Sequence, residues 1–393
     1  MQNIGIIAEF NPFHLGHKYI IDCAKRSGNA VICVMSGNFV QRGDTAITDK
    51  FTRAEMAVKC GSDLVVELPT PWAMSTAQNF ATGAVAILSS LGITDKIVFG
   101  SECGDISLLE KTADVLSEAE FNQKVTERLK KYGETYAAAR NKVLSADYPL
   151  LSEIIGSPND TLGTEYILAA RHLGYKGEFD CIKRIGAAHD SKNEELTASA
   201  SLIREKIKSC DKEFAKKYMP TEAFNLLQGS PKSDIKLLEN AILCKLRMLF
   251  LGGKIPCLPD ISEGIENRLK NAVMSATTLE ELYSLIKTKR YTLARIRRLV
   301  LSAFLDIDDS FFGKVPPYIR ALAFNKTGEK LLREASKKAA VPIITKVSQI
   351  NLSDEFTKKV WETENKVTDA YSLSLTPPQK CGSEYHKKII KIV

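Results

Sequence analysis

The 393-residue sequence predicts an α/β fold, a doubly wound parallel sheet followed by a mostly helical C-terminal part. Three observations carry this. Short apolar runs alternate with helical periodicity through the first hundred residues. The turn after the first run, Asn11-Pro12-Phe13-His14-Leu15-Gly16-His17, sets two of the chain's five histidines between a strand and a helix. From about Ser233 onward Leu and Ile recur at i, i+3 and i+4, until Val341-Pro342-Ile343-Ile344 hints at a strand.

Taken in order, Ile4 to Ala8 reads as the first strand and His17 to Arg26 as the first helix, with Gly16 leaving room for close backbone approach. Ala30 to Met35 is a second strand running into Ser36-Gly37-Asn38-Phe39, and Gln41 to Thr45 is a polar loop. A helix from about Lys50 to Cys60, a strand Leu64 to Glu67 closed by Pro69, a helix from about Ser75 to Leu91 and a strand Lys96 to Phe99 continue the alternation. Right-handed crossovers bring these strand ends to one sheet edge, where doubly wound folds bind ligands. Asp105 to Tyr148 has charged amphipathic periodicity and is expected to pack as helix on the sheet.

Pro158 and Gly163 punctuate an expected loop from Ser157 to Gly163, ahead of a helix from Thr164 to about His172. A strand from Glu178 to Ile182 delivers Lys183-Arg184, and the loop Gly186 to Glu195 leads to Ala198-Ser199-Ala200-Ser201-Leu202-Ile203-Arg204. Small residues there and Arg204 in the next turns suggest a second helix N-terminus facing the same cleft, with Ser199 and Ser201 capping the helix, contacting phosphate, or doing both.

The length exceeds a single core, so two domains are expected: residues 1–230 for nucleotide binding and catalysis, and 231–393 as a basic helical domain. From Pro231 onward 28 Lys+Arg face 18 Asp+Glu, a net +10, which leaves −3 for the rest of a chain whose total is +7. A basic half beside a near-neutral one suits a polyanionic partner, whose neutralised phosphates release counterions; a merely solvated basic domain is the plain alternative. No apolar stretch of membrane-spanning length and no leader precede the first strand, so a cytoplasmic protein without membrane contact is expected. The nine scattered cysteines form no CxxC pair and read as buried thiols, without disulfides or a zinc site.

A helix start offers unpaired N–H groups and the positive end of a macrodipole, so it attracts phosphate oxygens. Two imidazoles on that turn can donate hydrogen bonds to a polyphosphate and steady the charge that develops as pyrophosphate leaves. The pattern therefore implies a site that cuts a nucleotide between its α and β phosphates, with His14 and His17 as catalytic candidates. Lys18, Arg42 and Asp44 lie close to the cleft segments in sequence, without an assignable role.

The HLGH turn and the segment Ala198 to Arg204 resemble the HxGH and SSTxIR signatures of the nucleotidylyl transferase superfamily. Longer strings are more specific. Ala8-Glu9-Phe10-Asn11-Pro12-Phe13-His14-Leu15-Gly16-His17, Met35-Ser36-Gly37-Asn38-Phe39-Val40-Gln41-Arg42-Gly43, Phe99-Gly100-Ser101-Glu102 and Ser157-Pro158-Asn159 are similar to those of the bacterial tRNA(Met) cytidine acetate ligases, over nearly the whole chain.

The resemblance implies an ATP-dependent ligase that makes acetyl-adenylate from acetate and passes the acetyl group to N4 of the wobble cytidine of elongator tRNA(Met). It also implies an ATP site running from Ile7 to Ile20, Lys18 and Tyr19 included, with Gly100, Asn159 and Arg184 from three other loops. Singly, Gly100 also suits a turn, Asn159 a helix cap and Arg184 a solvated surface. Ala200 stands where the superfamily commonly has a second adjacent serine, and Ser201 where it has threonine. Mg²⁺ is expected from ATP chemistry, with no acidic cluster assignable to it.

For RNA, Lys287 to Arg298 holds six basic residues within twelve, and helical spacing would put Lys287, Arg290 and Arg297 near one face as a tRNA-binding stripe. A solvated helix face gives the same run without RNA. Rival readings are a small-molecule adenylyltransferase, which needs no basic extension, and an acyl-adenylating ligase with a protein substrate, which would show no RNA dependence. A class I aminoacyl-tRNA synthetase would add a KMSKS-like loop, which the chain lacks.

Overall fold

The computed structural model describes residues 2–184, 198–252, 257–261 and 264–393. Eight strands form its central sheet: β1 (Asn3–Ala8), β2 (Ala30–Ser36), β3 (Leu64–Leu68), β4 (Lys96–Ser101), β5 (Glu178–Lys183), β6 (Ile319–Phe324), β7 (Ile343–Ile344) and β8 (Ile390–Lys391). Their order is β7-β6-β3-β2-β1-β4-β5, with β8 pairing β6. The first five strands are mutually parallel, and only β3 and β6 run antiparallel. The chain winds outward from β1 through β2 and β3, then restarts on the other side of β1 with β4. That reversal opens a crevice beyond the carboxyl ends of β1 and β4.

Both faces of the sheet are covered, which is why β2 reads as an unbroken apolar run. Alternate residues enter different cores: Ile32 and Val34 join one, Val31, Cys33 and Met35 the other. Seven helices bear on the site: α1 (Leu15–Ala24), α2 (Lys50–Lys59), α3 (Ala77–Ser90), α4 (Pro158–Leu173), α5 (Ala200–Lys208), α6 (Leu293–Leu305) and α7 (Glu355–Ser372). Helices α3 and α4 share the first core, while α1, α2 and α5 share the second through Ile21, Ala54, Ala57 and Ile203. No helix among the described residues is long and apolar enough to cross a membrane.

The structure revises several expectations. Ser157 to Gly163 is not a loop: α4 starts at Pro158, whose ring is pre-organised for a first helical position. Gly163 belongs inside that helix because an added Cβ would stand 2.2 Å from the Phe99 ring of β4. Helix α1 starts at Leu15 rather than His17, since His14 caps it. Strand β6 was not expected in the helical half; its alternation is hidden because five of its six residues are buried. The cysteines are all free, but Cys210, Cys244, Cys257 and Cys381 are exposed. The predicted loop Gly186 to Glu195 lies outside the described residues.

The second half of the chain is bound to the first by more than β6. Lys50, at the start of α2 and fully buried, reaches Glu67 on β3 and Glu384 near the C-terminus, each at 2.5 Å. Glu384 also pairs with Arg320 of β6 and accepts from Thr368 of α7 at 2.5 Å. Glu364 of α7 accepts from the Thr70 backbone N–H at 2.6 Å. Burial opposes the Lys50 charge, yet Glu384 and Glu67 together hold its ammonium above the ordinary value. Burial, reinforced by Glu67, pushes the Glu364 carboxyl up to about 8. The cluster thus sets Lys50 and Arg320 against Glu67 and Glu384 in direct ion pairs.

Lys50→Met would leave buried Glu67 without its ion-pair partner and Glu384 with Arg320 alone, and is expected to cost about 3–5 kcal/mol in urea unfolding at pH 7. Glu364→Gln should match wild type within about 1 kcal/mol below about pH 4.5, where the side chain is neutral in both the folded and unfolded states, and should be the more stable protein at pH 7, where only unfolded wild type gains by ionising. A raised carboxyl pKa favours the folded state at low pH, and that advantage is lost as pH rises through the folded value. Wild type should therefore lose stability relative to Glu364→Gln between about pH 4.5 and 8, with no further change above that, which paired unfolding curves would measure.

Candidate nucleotide site

The candidate site is built where β1 ends and α1 begins. His14 is the N-cap of α1, and its Nδ1 accepts the Gly16 N–H at 3.0 Å; the His17 Nδ1 accepts the His14 N–H at 3.3 Å. This reciprocal cap stacks the rings with centroids 3.8 Å apart. An acceptor Nδ1 fixes the neutral tautomer with its proton on Nε2. Each ring therefore offers one N–H donor on its far side. Gly16 is required for a reason the sequence did not show: an added Cβ would sit 2.9 Å from the His14 ring.

Burial, then the Arg184 and Arg204 guanidiniums, lower the His14 pKa to about 3. Burial, then His14 and Arg184, bring His17 well below the usual imidazole value. Phe10 meets the His17 ring edge-on at 5.0 Å, and Phe13 lies 5.6 Å away. Phe10 holds φ +46°, a region that aromatic residues rarely adopt, and its ring is anchored in the second core.

The other predicted residues converge from separate elements. An added Cβ on Gly100, at the end of β4, would lie 3.0 Å from Ile20 Cδ1 and 3.4 Å from Arg184 Cγ, so β1–α1, β4 and β5 meet there. Arg184 is exposed and held through its backbone N–H on the Ser101 carbonyl at 2.9 Å. Asn159 sits in the first turn of α4 with its amide nitrogen donated to Glu102 at 2.5 Å. Glu102 also accepts the Asn159 and Asp160 backbone N–H groups, while Asp160 accepts those of Glu102 and Cys103. This reciprocal clamp fixes the β4 turn on α4.

Ser199 is the N-cap of α5, accepting the Leu202 N–H at 3.2 Å, and its hydroxyl lies 3.0 Å from that of Ser201. Arg204 donates to the Asn11 carbonyl at 2.6 Å, which aims this helix start at the same crevice.

Sequence reading missed Arg53. Fully buried on α2, it donates to Glu9 O at 2.7 Å, Ser36 O at 3.1 Å, Thr48 O at 3.0 Å and also Gly37 O. Its signal was the spacing of Lys50, Arg53, Ala54, Ala57 and Val58, which puts two cations on the buried stripe of an amphipathic helix.

The basic run is not one helix. A helix ends at Ile286, Thr292 caps α6, and Lys287 and Arg290 lie in the irregular link, because Thr292 offers an N-cap where a continuous helix was expected. Lys287, Arg290 and Arg297 therefore form no common helical stripe.

No group of three or more His, Cys, Asp or Glu side chains converges to hold a metal among the described residues. Glu9 accepts the Gln41 N–H at 2.9 Å and Asp44 that of Thr45 at 2.8 Å, and burial raises the pKa of both. With no such cage among the described residues, magnesium would arrive with nucleotide phosphates as its main ligands.

A cavity of about 1020 Å³ opens elsewhere, along α2 and residues 368–387. Size does not make it the reaction site: its lining mixes Glu55 and Glu222 with Lys59, and its Lys387 is paired with Asp49 at 2.7 Å.

Because His14 is held neutral, the folded protein binds fewer protons than the unfolded chain between about pH 6.5 and 3. Its contribution to stability is intact above pH 6.5 and falls by about 1.4 kcal/mol per pH unit below it. His14→Gln should remove that component, visible as a shallower decline of the urea midpoint between pH 6.5 and 5 than in wild type.

The HIGH Nucleotidyl Transferase family profile matches residues 1–387. The chain is 39% identical to the tRNA(Met) cytidine acetate ligase of Thermoanaerobacter sp. (strain X514), covering 100% of both chains. It is 37% identical to that of Clostridium perfringens (strain ATCC 13124), covering 98% of each. Its fold matches the crystal structure of Thermotoga maritima TmcAL bound with alpha-thio ATP at TM-score 0.91 and 30% identity, covering 100% of both chains. The chain therefore belongs to the HIGH nucleotidyl transferase family, and within it to the tRNA(Met) cytidine acetate ligases.

Proposed function

We propose that this enzyme activates acetate with ATP as acetyl-adenylate, releasing pyrophosphate, and then transfers the acetyl group to N4 of the wobble cytidine of elongator tRNA(Met), forming N4-acetylcytidine. The observation that carries the reading is the pair of neutral, stacked imidazoles at the N-terminus of α1, each with an Nε2–H to spare. The names of the curated relatives and the ATP analogue in the Thermotoga structure support ATP, acetate and tRNA(Met) as substrates.

In the first step an acetate oxygen bonds to the α-phosphorus while the bond from that phosphorus to the β-phosphate bridging oxygen breaks, and the electron pair leaves with pyrophosphate. His14 and His17 meet that growing negative charge with N–H donors, helped by the α1 dipole and the Arg184 and Arg204 guanidiniums. Magnesium, when bound, would screen the phosphates during this displacement.

In the second step the cytosine amino nitrogen bonds to the acyl carbon, its bond to the phosphate oxygen breaks, AMP departs, and the nitrogen loses a proton. Positioning an extruded base is the protein's main task there, for which the C-terminal residues 231–393, Lys287, Arg290 and Arg297 included, supply positive charge.

Incubation with ATP, labelled acetate and total tRNA should place label on RNA; label left only on small molecules or on protein would favour the rival readings. In acetate-dependent ATP–pyrophosphate exchange, His14→Ala or His17→Ala should lower the rate by roughly 10²–10³-fold. Exchange at the wild-type rate would refute the role of the pair.

A further inference from the structure

Residues 41–45 join the nucleotide crevice to α6. Gln41 donates its N–H to Glu9 at 2.9 Å, while its carbonyl accepts from Arg298 at 3.4 Å. Gly43, at φ +71°, lies so close to α6 that an added Cβ would stand 2.7 Å from Arg297 Cβ and 2.6 Å from the Arg298 nitrogen. Only glycine allows this approach. The basic half of the chain is thus seated directly on the loop that edges the crevice.

Cations from several elements gather there. Asp44 feels Arg204 of α5, Arg297 of α6 and Lys208, and Arg42 acts on both Arg204 and Glu9. Lys208 is paired with Asp234 at 3.0 Å and Arg298 with Asp260 at 3.4 Å, so neither is available. Arg204 is committed to the Asn11 carbonyl. Arg42 is exposed, and Arg297 is half-buried with its guanidinium 5.7 Å from the Tyr283 ring. Neither makes an ion pair within 4.0 Å among the described residues. Two arginines without an ion pair among the described residues, one in the 41–45 loop and one on the helix packed against it, form a receptor for a further anion.

We propose that Arg42 and Arg297 grip backbone phosphate of the RNA strand carrying the acceptor base, as positioning residues for acetyl transfer. The inference rests on the reaction proposed above and adds where the RNA enters. The triphosphate has its own donors in the His14–His17 pair, the start of α1 and Arg184. Arg297 comes from the basic half and arrives across the 41–45 loop, so it marks the side from which a second polyanion approaches.

The test uses the full-length enzyme, wild type and Arg42→Ala, Arg297→Ala and Arg297→Lys, in two assays. One is acetate-dependent ATP–pyrophosphate exchange without RNA; the other is acetyl transfer to unmodified tRNA over a range of KCl. Each alanine variant should raise the KM for tRNA by roughly tenfold and flatten the slope of log affinity against log salt by about one. Its effect on exchange should be several-fold smaller. Arg297→Lys should restore the salt slope and only part of the KM, because lysine keeps the charge without the planar fork. It also keeps the test open if Arg297→Ala does not fold, which thermal melting checks.

Parallel loss of exchange and transfer would assign the arginines to ATP phosphates and overturn the proposal, as would an unaltered salt slope. Absent exchange in wild type sinks this contact and the underlying reaction together. Normal exchange with unaltered tRNA dependence sinks the contact alone.

Discussion

The buried guanidinium of Arg53 is the constraint on which the crevice depends. Three segments reach this edge of the sheet without regular partners: the turn after β1, the Ser36-Gly37 turn after β2, and the approach to α2. Each would leave carbonyls buried and unpaired. Arg53 supplies the donors, binding carbonyls of Glu9, Ser36, Gly37 and Thr48 from a position with no exposure. Burial lowers its pKa, but an arginine remains charged, and four carbonyl dipoles replace its lost hydration. Lysine could not serve in its place, since it lacks a fork able to reach several carbonyls in one plane.

With those turns pinned, the histidine pair becomes a consequence of local geometry. The chain leaves β1 through Phe10 and cannot continue as strand, so His14 closes the helix N-terminus and His17 returns the hydrogen bond. The same capping bonds that finish the helix use both Nδ1 atoms as acceptors and leave the proton of each ring on Nε2. Helix capping and the proposed polyphosphate recognition draw on one arrangement, because both require donors gathered where the macrodipole is positive.

The two halves of the chain are joined by chemistry that a boundary near residue 230 does not suggest. Strand β6 lies antiparallel against β3, and the Lys50–Glu67–Glu384–Arg320 cluster ties α2 to the C-terminus through the core. Such a cluster contributes little net stability as a whole, yet breaking it is costly, so it specifies a unique seating of the C-terminal half. That seating is what presses Arg297 onto Gly43 beside the crevice.

The sequence by itself determined the parallel sheet and the succession of its first five strands along the chain, and it pointed to the first turn as the candidate site. Hydrophobic period and the spacing of His14, Gly16 and His17 are local properties, and local properties are written in neighbouring residues. It also held the clue to Arg53, since a cation at helical spacing from Ala54, Ala57 and Val58 belongs to a buried stripe. What only tertiary structure decided are contacts between residues far apart in the chain. Asn159 proved to be held by Glu102, β6 entered the sheet, and the supposed stripe of Lys287, Arg290 and Arg297 was divided by the cap at Thr292. Period and propensity set which face of an element is apolar, but not which distant carboxylate or strand will meet it. That choice belongs to packing of the whole chain.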